Sequence, residues 1–225
     1  MSPLSVVASD RAALYARLRA GTAELGLAPS VAACERLIDY VDLLTRWNAV
    51  YNLTAVRDPA DMISRHLLDS LAIAPHVRGD SLADLGSGAG LPGIPLAILE
   101  PSRQTVLIDS NGKKTRFLRE AIRTLGLSNV HVEQARVENA RGQFDCVTAR
   151  AFASLAQMLE LGGHLLAPGG TWLAMKGQLN KDEILAMPPG FHVSAVCPLA
   201  VPGLGGARHV VIIHRAQMLA QEHAA

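Results

Sequence analysis

Two hydrophobic periods divide the chain near residue 78. In the first part, apolar residues recur every three or four positions, which is typical of helices that bury one face. One helix is predicted after Ser30, a potential N-cap, with an apolar stripe of Cys34, Leu37, Ile38, Val41 and Leu44. Another is predicted after Asp58 and Pro59, a cap and a first-turn proline, with a stripe of Met62, Ile63, His66, Leu67 and Leu71.

After residue 80, short strand-like runs alternate with helical segments. The predicted strands are SLADL, QTVLID, NVHVE, FDCVTA, TWLAMK, FHVSAV and RHVVIIH. The helix after Asp109 turns an apolar face inward and stops at Gly126. Such alternation predicts an α/β fold, with a largely parallel sheet covered by helices on both faces. No helix separates the last two runs, so they are predicted to form an antiparallel hairpin at the sheet edge.

Length and composition fit a globular protein. The chain has 225 residues, of which 49% are hydrophobic and 18% charged. We therefore predict a helical extension over residues 1–78 packed on an α/β core over residues 79–215, followed by a tail over residues 216–225.

The charge distribution permits a nucleic-acid partner only at a local patch. The whole chain carries a formal charge of +1. Between Arg103 and Arg150, however, nine basic and five acidic side chains give a local excess of +4. Lys113, Arg116 and Arg123 share the polar face of the predicted helix, where solvation is the ordinary explanation and contact with an RNA backbone is the functional one.

Cysteine usage and hydropathy predict a cytoplasmic protein without a metal. Cys34, Cys146 and Cys197 are far apart and belong to no CxxC or His/Cys cluster, so we expect reduced thiols and no zinc site. The first ten residues lack the apolar region of a signal peptide. The weakly charged run over residues 151–175 is interrupted by glycines and Pro168, so no membrane span and no membrane partner are predicted.

The candidate ligand site is the glycine-rich stretch DLGSGAGLPGIPLAI, which follows the first predicted strand. In an open parallel sheet, ligands bind beyond the carboxyl ends of the strands. The triphosphate-binding pattern GxxxxGK followed by Ser or Thr is absent. A GxGxxG pattern, typical of dinucleotide sites, occurs at Gly88, Gly90 and Gly93, but it starts two residues late and contains Pro92. A dinucleotide-dependent oxidoreductase therefore remains an alternative.

S-adenosylmethionine fits the same stretch better. It carries no phosphate, and its amino-acid tail needs the close backbone approach that Gly86 and Gly88 allow. Asp84, before the turn, can organise it and meet the ammonium group. Asp109, at the end of the second strand and 23 residues after Gly86, can accept hydrogen bonds from the ribose hydroxyls. The competing interpretation is a simple glycine turn in which Asp109 only caps the next helix.

Two motifs that are absent from the sequence limit which kind of atom could accept the methyl group. The segment TARAFA, after the fourth strand, does not contain the Asp/Asn-Pro-Pro-Tyr/Phe tetrapeptide that often holds exocyclic amines. Neither Cys146 nor Cys197 lies where a nucleophile for pyrimidine C5 would be expected. Guanine N7 requires neither device, because its lone pair is free at neutral pH. Its site would be basic, without catalytic carboxylates.

At this point the sequence resembles the RsmG (glucose-inhibited division protein B) family, over roughly residues 38–214. The resemblance is carried by NLTAVRDPADMISRHLLDSL, DLGSGAGLPGIPLAI, LIDSNGKKTRFL, RAFASL, MKGQ and RHVVII. It implies a Rossmann-like class I methyltransferase with a mostly parallel seven-stranded sheet. The implied reaction is S-adenosylmethionine-dependent methylation of one guanine N7 in bacterial 16S ribosomal RNA. The implied partner is that RNA or the small ribosomal subunit, with no obligate protein partner evident.

The resemblance also implies a set of site residues. Those expected at the cofactor are Asp84, Gly86, Gly88, Leu91, Asp109, Val137, Glu138 and Arg150. Those expected near the target base or its phosphate are Arg150, Lys176, Arg208 and Arg136. Trp47 and Tyr51 could stack on a base, although core packing is the expected role for both. A third function, a non-catalytic assembly factor that keeps the fold to bind ribosomal RNA, also stays open.

Overall fold

The computed structural model describes residues 3–150 and 154–216, and its helices and strands occupy these ranges. Three residues of the RAFASL motif and most of the predicted tail lie outside them. The helices are α1 Pro3–Glu24, α2 Val31–Tyr51, α3 Pro59–Met62, α4 Asp69–Leu71, α5 Gly93–Leu99, α6 Gly112–Leu125, α7 Leu155–Gly162 and α8 Lys181–Leu185. A π-helix, Ile63–Leu68, joins α3 to α4 without a break, and short 3-10 turns occupy Ala74–His76, Val137–Asn139 and Gly163–Leu165. No helix in the described ranges is both long enough and apolar enough to cross a membrane.

The described residues form one seven-stranded sheet in the order β3-β2-β1-β4-β5-β7-β6. The strands are β1 Ser81–Leu85, β2 Gln104–Ile108, β3 Val130–Glu133, β4 Phe144–Arg150, β5 Leu166–Lys176, β6 Phe191–Pro198 and β7 His209–Arg215. Strands β1 to β5 pair in parallel, whereas β7 pairs antiparallel with both β5 and β6. The predicted mostly parallel sheet with an antiparallel edge hairpin is confirmed.

The start of the fifth strand differs from the prediction by five residues, whereas the other strand ends agree to within two residues. We expected the fifth strand to begin at Thr171, but it begins at Leu166. Along the pair of strands, β5 advances from Leu166 to Thr171 while its partner β4 advances only from Phe144 to Cys146. The extra residues bulge out through Pro168 and two glycines, so a segment that looks like a turn in sequence lies inside a strand.

The predicted helix caps are present. The side chain of Ser30 accepts a hydrogen bond from the backbone of Ala33, and that of Asp58 accepts one from Ala60. The apolar stripe behind Ser30 is buried, and it packs with helices α5 and α6 in one apolar cluster. The helix α2 therefore packs on α5 and α6, two helices that contact strands β1, β2 and β3.

Helix α2 also holds the glycine turn that follows β1. The hydroxyl of Tyr40, which is fully buried, donates a hydrogen bond of 2.6 Å to the carbonyl oxygen of Ala89. Burial raises the pKa of this hydroxyl, so it stays protonated and keeps donating. The position of the turn thus depends on a helix some fifty residues earlier in the chain (|i−j| = 49).

A substitution at Gly90, in the same turn, would measure how tightly the turn is packed. Its φ is +87°, and a Cβ there would overlap Cδ1 of Ile94 and come within 3.0 Å of Leu118. We expect Gly90→Ala to lower the free energy of unfolding by about 3 kcal/mol, because left-handed strain and overpacking add. Gly126→Ala is the matched control, since Gly126 has a φ of +64° and nothing within 4 Å of a Cβ.

The control should lose only about 1 kcal/mol, the cost of the strain alone. Urea unfolding followed by circular dichroism measures both variants. Equal losses in the two variants would show that the turn has room for a methyl group and that the packing argument is wrong.

Candidate functional site

The turn after β1 is built from left-handed glycines around a buried carboxylate. Gly86, Gly88 and Gly90 have φ values of +66°, +59° and +87°. Oδ2 of Asp84 accepts a hydrogen bond of 3.0 Å from the backbone N–H of Gly93, the first residue of α5. The carboxylate therefore ties the end of the strand to the start of the helix and sets the path of the turn between them.

Asp84 is fully buried, and its second oxygen has no partner. Burial raises the pKa of this carboxyl to about 7, while the N–H of Gly93 acts to lower it. Oδ1 forms no hydrogen bond within the described part of the chain. Buried acceptors are normally satisfied, so this oxygen is available to a donor brought in by a ligand or a water molecule.

Asp109 holds the glycine turn from the next strand. Its Oδ2 accepts a hydrogen bond of 2.9 Å from the N–H of Gly88, and its Oδ1 accepts one of 2.8 Å from the N–H of Asn111. Nζ of Lys114 lies 3.9 Å from Oδ2. Each carboxylate oxygen has two lone pairs, so Asp109 keeps acceptor capacity beyond these two bonds.

A cavity of about 830 Å³ opens beside this turn, at the carboxyl ends of β1, β2 and β4. We call it the glycine cavity. Six of the residues predicted for the site line it: Gly86, Asp109, Arg136, Val137, Glu138 and Arg150. They come from segments spread over 65 residues of sequence (86 to 150), and the parallel sheet brings them to one edge.

Leu91 lies beneath the glycine turn, and its contact with the cofactor stays a prediction. Its side chain is 5% exposed and lies in the apolar cluster between the sheet and the N-terminal helices. A residue that follows the turn directly is drawn under it, because α5 must pack its apolar residues against the sheet. Any contact between Leu91 and a ligand would therefore have to come from its backbone.

A second cavity, of about 520 Å³, lies on the other side of Arg150. We call it the basic cleft. Arg150, Lys176 and Arg208 line it together, as the sequence predicted, and its apolar walls include Met175 and Leu204. Arg150 lines both cavities, so this residue stands at the boundary between them.

Arg136 is not brought into the basic cleft. It lines the glycine cavity, and its side chain is 75% exposed, with Nη1 lying 3.8 Å from Oε1 of Glu138. A place for Arg136 near the target base stays a prediction. Arg136 follows the end of β3, an edge strand that β2, β1 and β4 separate from β5.

Asp69 is a residue of the cleft that sequence reasoning missed. It is 7% exposed and pairs with two arginines: Oδ2 lies 3.1 Å from Nη1 of Arg150, and Oδ1 lies 3.4 Å from Nε of Arg208. Nη1 of Arg150 also donates to the carbonyl oxygen of Arg65, at 3.2 Å. A single buried carboxylate thus sets the distance between two guanidinium groups that come from β4 and the loop before β7.

The backbone before Asp69 is irregular, and this irregularity turns the Asp69 side chain toward the cleft. The π-helix Ile63–Leu68 precedes it directly, and its wider turn places Arg65, His66 and Asp69 together on the cleft wall. Turns of this kind inside α-helices occur often at functional sites. A signal was present in the sequence, since an aspartate falls three residues after His66 in an otherwise apolar segment.

Lys176 is held by a second carboxylate. Its Nζ lies 2.5 Å from Oε1 of Glu183, on α8, and the same oxygen accepts a hydrogen bond of 3.2 Å from the N–H of Leu155. The cleft is therefore basic, but the acids that face its cations are engaged in ion pairs.

His66, on the cleft wall, is neutral at physiological pH. It is 5% exposed, and its Nε2 lies 2.9 Å from Oγ1 of Thr54. Burial and the neighbouring charge of Arg150 lower the pKa of His66 to about 4. Its Nδ1 has no hydrogen-bond partner among the described residues.

The pKa of His66 predicts a pH-dependent stability term. The imidazole protonates near pH 6.5 in the unfolded chain but only near pH 4 in the folded one. Between these values the unfolded state binds more protons, so the free energy of unfolding falls as the pH falls from 6.5 to 4. The slope of this term is about 1.4 kcal/mol per pH unit.

We expect His66→Gln to remove this term. Relative to the wild type, the variant should gain about 3 kcal/mol on going from pH 6.5 to pH 4, while the difference between the two proteins stays constant above pH 6.5. Urea unfolding at a series of pH values measures it. Parallel curves over the whole range would contradict the assignment of a buried neutral ring.

The structure also places the basic face of α6, the buried cysteine of β4 and the possible metal ligands. Nη2 of Arg123 pairs with Oε1 of Glu120 at 2.7 Å, so this cation is neutralised on its own helix. Cys146 is buried, and burial raises the pKa of its thiol to about 12, which makes it a poor nucleophile. In the described ranges, no group of three His, Cys, Asp or Glu side chains comes together as ligands of a metal would.

The sequence matches a known protein family over most of its length. A family model, GidB, described as rRNA small subunit methyltransferase G, matches residues 33–211. Ribosomal RNA small subunit methyltransferase G of Stenotrophomonas maltophilia (strain K279a) is 53% identical over 204 residues, which cover 90% of this chain and 95% of that protein.

Solved structures share the fold. A SAM-dependent methyltransferase from Aquifex aeolicus superposes with a TM-score of 0.53 at 17% identity, covering 71% of this chain and 94% of its own. A mutant of MtNAS in complex with S-adenosylmethionine superposes with a TM-score of 0.53 at 15% identity, and the match covers 82% of this chain and 72% of that chain. The predicted class I methyltransferase fold is confirmed, and the match over 33–211 shows that the chain belongs to the GidB family of rRNA small subunit methyltransferases.

Proposed function

We propose that this protein transfers a methyl group from S-adenosylmethionine to N7 of a guanine in the 16S RNA of the small ribosomal subunit. The observation that carries the proposal is Arg150. This residue lines both a cavity suited to the donor and a basic cleft suited to a purine. The family and the relative from Stenotrophomonas maltophilia support an RNA of the small subunit as the acceptor.

The glycine cavity fits the proposed donor. The unpartnered Oδ1 of Asp84 is an acceptor that an ammonium group, or a water bound to it, can satisfy. Asp109 keeps lone pairs for ribose hydroxyls, and Val137 and Glu138 would border the adenine. When bound, S-adenosylmethionine supplies a methyl group on a sulfonium, which a nucleophile can take in one in-line displacement.

The basic cleft fits a guanine that reacts through N7. The lone pair of N7 attacks without losing a proton, so no general base is required, and the neutral His66 adds no charge. The cations of the cleft would hold O6 and the phosphates and leave N7 free for attack. The carboxylate of Asp69 pairs with Arg150 and Arg208, which fixes the distance between the two cations that would hold the base.

The dinucleotide alternative is disfavoured by the start of α5. A pyrophosphate would need free N–H groups at that helix terminus. The N–H of Gly93 is instead bonded to Asp84, and Gly93 and Ile94 are buried. The shifted GxGxxG pattern therefore has no exposed helix terminus to offer.

The remaining predictions become parts of this proposal. The helical segment over residues 1–78 would act as an extension that positions the glycine turn and walls the cleft, and residues 79–215 would act as the methyltransferase core. The reaction would take place in the cytoplasm, on 16S RNA or a small-subunit particle, without a metal and without an obligate protein partner.

Two measurements test the proposal. Calorimetry should detect binding of S-adenosylhomocysteine but not of NADH. Small-subunit RNA from cells that lack the gene should gain one 7-methylguanosine, located by mass mapping, when it is incubated with the protein and S-adenosylmethionine. Binding of NADH, or transfer to a protein or to another RNA atom, would refute it. Cofactor binding without transfer to any small-subunit RNA or particle would favour an assembly factor.

A further inference from the structure

A third concave surface lies beside the glycine cavity, between the end of α2 and the exposed face of α6. It measures about 750 Å³ and is lined by Tyr51, Asn111, Lys113, Arg116, Arg119 and Gln134. We call it the α6 groove. We propose that the α6 groove binds single-stranded RNA next to the target nucleotide, with Tyr51 as the platform on which one base stacks. This inference rests on the proposed function and adds a docking surface to it.

Tyr51 is the exposed end of a stack of aromatic rings. Phe117 is fully buried, and Trp47 meets it edge-on, with ring centroids 5.7 Å apart and planes at 60°. Tyr51 stacks on Trp47, with centroids 5.1 Å apart and planes at 28°. Tyr51 is 36% exposed, so a base can continue the stack. The ring is held from behind by the core, which lowers the entropy lost when a base binds.

The cations of the groove are available to phosphates. Lys113, Arg116 and Arg119 are exposed, and in the described part of the chain none of them pairs with a carboxylate, unlike Arg123 farther along α6. Gln134 and Asn111 add side-chain amides, which can donate to phosphate oxygens or base edges. An aromatic platform beside a run of cations is how proteins bind single strands, since a duplex offers no free base face.

The groove is close enough to the cleft for one strand to occupy both. Tyr51 lines the groove, and Val56 lines the basic cleft. Five residues of extended chain span at most roughly 18 Å. The segment between them is held in place by Asn48, whose side chain donates to the carbonyl oxygen of Val56 at 3.1 Å and accepts from the N–H of Thr54 at 2.9 Å.

The test uses the full chain and a fluorescent single-stranded RNA of mixed sequence, with anisotropy read at several salt concentrations. We expect Tyr51→Ala to raise the Kd about tenfold or more. Tyr51→Phe, which keeps the ring, should bind like the wild type. Replacing Lys113, Arg116 and Arg119 together with alanine should reduce the slope of log K against log salt by about 2.

A second triple variant, with Arg19, Arg36 and Arg78 changed to alanine, is the control. It removes the same charge from residues that line neither the groove nor either cavity, so it should leave the RNA affinity and the salt slope near the wild-type values. Binding of S-adenosylhomocysteine should be unchanged in all variants, which shows that they are folded and that the glycine cavity is intact.

The inference is overturned if the wild type methylates small-subunit RNA while Tyr51→Ala and the groove triple variant match it in affinity and rate. In that case the proposed function stands without the groove. It is also overturned if the control triple variant loses as much affinity as the groove variant, because general surface charge would then explain binding. If the wild type neither binds nor methylates small-subunit RNA, the proposed function fails first and this inference fails with it.

Discussion

Replacing Asp109 with alanine is expected to raise the Kd for S-adenosylhomocysteine about 100-fold or more. The side chain has two tasks, because it accepts the N–H groups of Gly88 and Asn111 and, in the proposed complex, the ribose hydroxyls. Hydrogen bonds to a charged acceptor contribute roughly 1.5–3 kcal/mol each, so losing the sugar contacts and loosening the glycine turn together should exceed about 2.7 kcal/mol.

Two further variants make this measurement specific. Asp109→Asn should rescue little, because an amide presents N–H groups where one of the two backbone N–H donors now points. Glu133→Ala is the matched control, since Glu133 ends the neighbouring strand β3 and does not line the glycine cavity. Calorimetry at fixed pH measures all three variants. Near-wild-type affinity in Asp109→Ala would remove Asp109 from the cofactor site.

The sheet could be predicted from the sequence because each strand and turn is defined by residues that are close together in the chain. Each strand is a short apolar run, and the turns and caps between runs depend on residues a few positions away, such as Ser30, Asp58 and Gly126. The boundary of β5 could not be predicted, because a proline and two glycines indicate a turn unless the pairing partner on β4 is known. Long-range pairing overrides local turn preference there.

The site was predictable wherever the parallel sheet does the positioning. Residues at the ends of β1, β2 and β4 must meet at one edge, which is why Asp109 could be placed from its strand end alone, while the resemblance supplied Arg150. The resemblance to a family supplied Val137 and Glu138. Leu91 shows the limit of that transfer, because a position in a motif does not tell whether a side chain or a backbone faces the ligand.

The ion pairs of the basic cleft could not be predicted, because their partners are far apart in sequence. Asp69 lies 81 residues from Arg150, and no local pattern links an acid on an N-terminal helix to the end of β4. The cavity that Arg136 lines depends in the same way on the path of the chain after β3. In both cases the missing information is tertiary, and for Asp69 even the functional role of the residue was missed.

Asp69 should matter more for turnover than for RNA binding. In Asp69→Ala, Arg150 and Arg208 lose the carboxylate that fixes their separation, and the cleft becomes more positive by one charge. The attraction for phosphates should not weaken, so the Kd for RNA should stay the same or fall. The target base, however, would be held less accurately beside the methyl donor, and a misplacement of about 1 Å can reduce the rate about 100-fold.

We therefore expect the kcat of Asp69→Ala to fall about 100-fold while the Kd for RNA is unchanged or lower. The variant should also lose about 2 kcal/mol of unfolding free energy, less than for a fully buried pair, because the side chains of Arg150 and Arg208 are 22% and 35% exposed. Asp61→Ala removes an exposed acid from the same helical segment and should change none of the three quantities. Single-turnover methylation measures the rate, RNA anisotropy measures the Kd for RNA, and urea unfolding measures the free energy of unfolding. A parallel loss of RNA affinity and turnover would show that Asp69 only maintains the fold, whereas a loss of turnover alone identifies it as the residue that positions the two arginines.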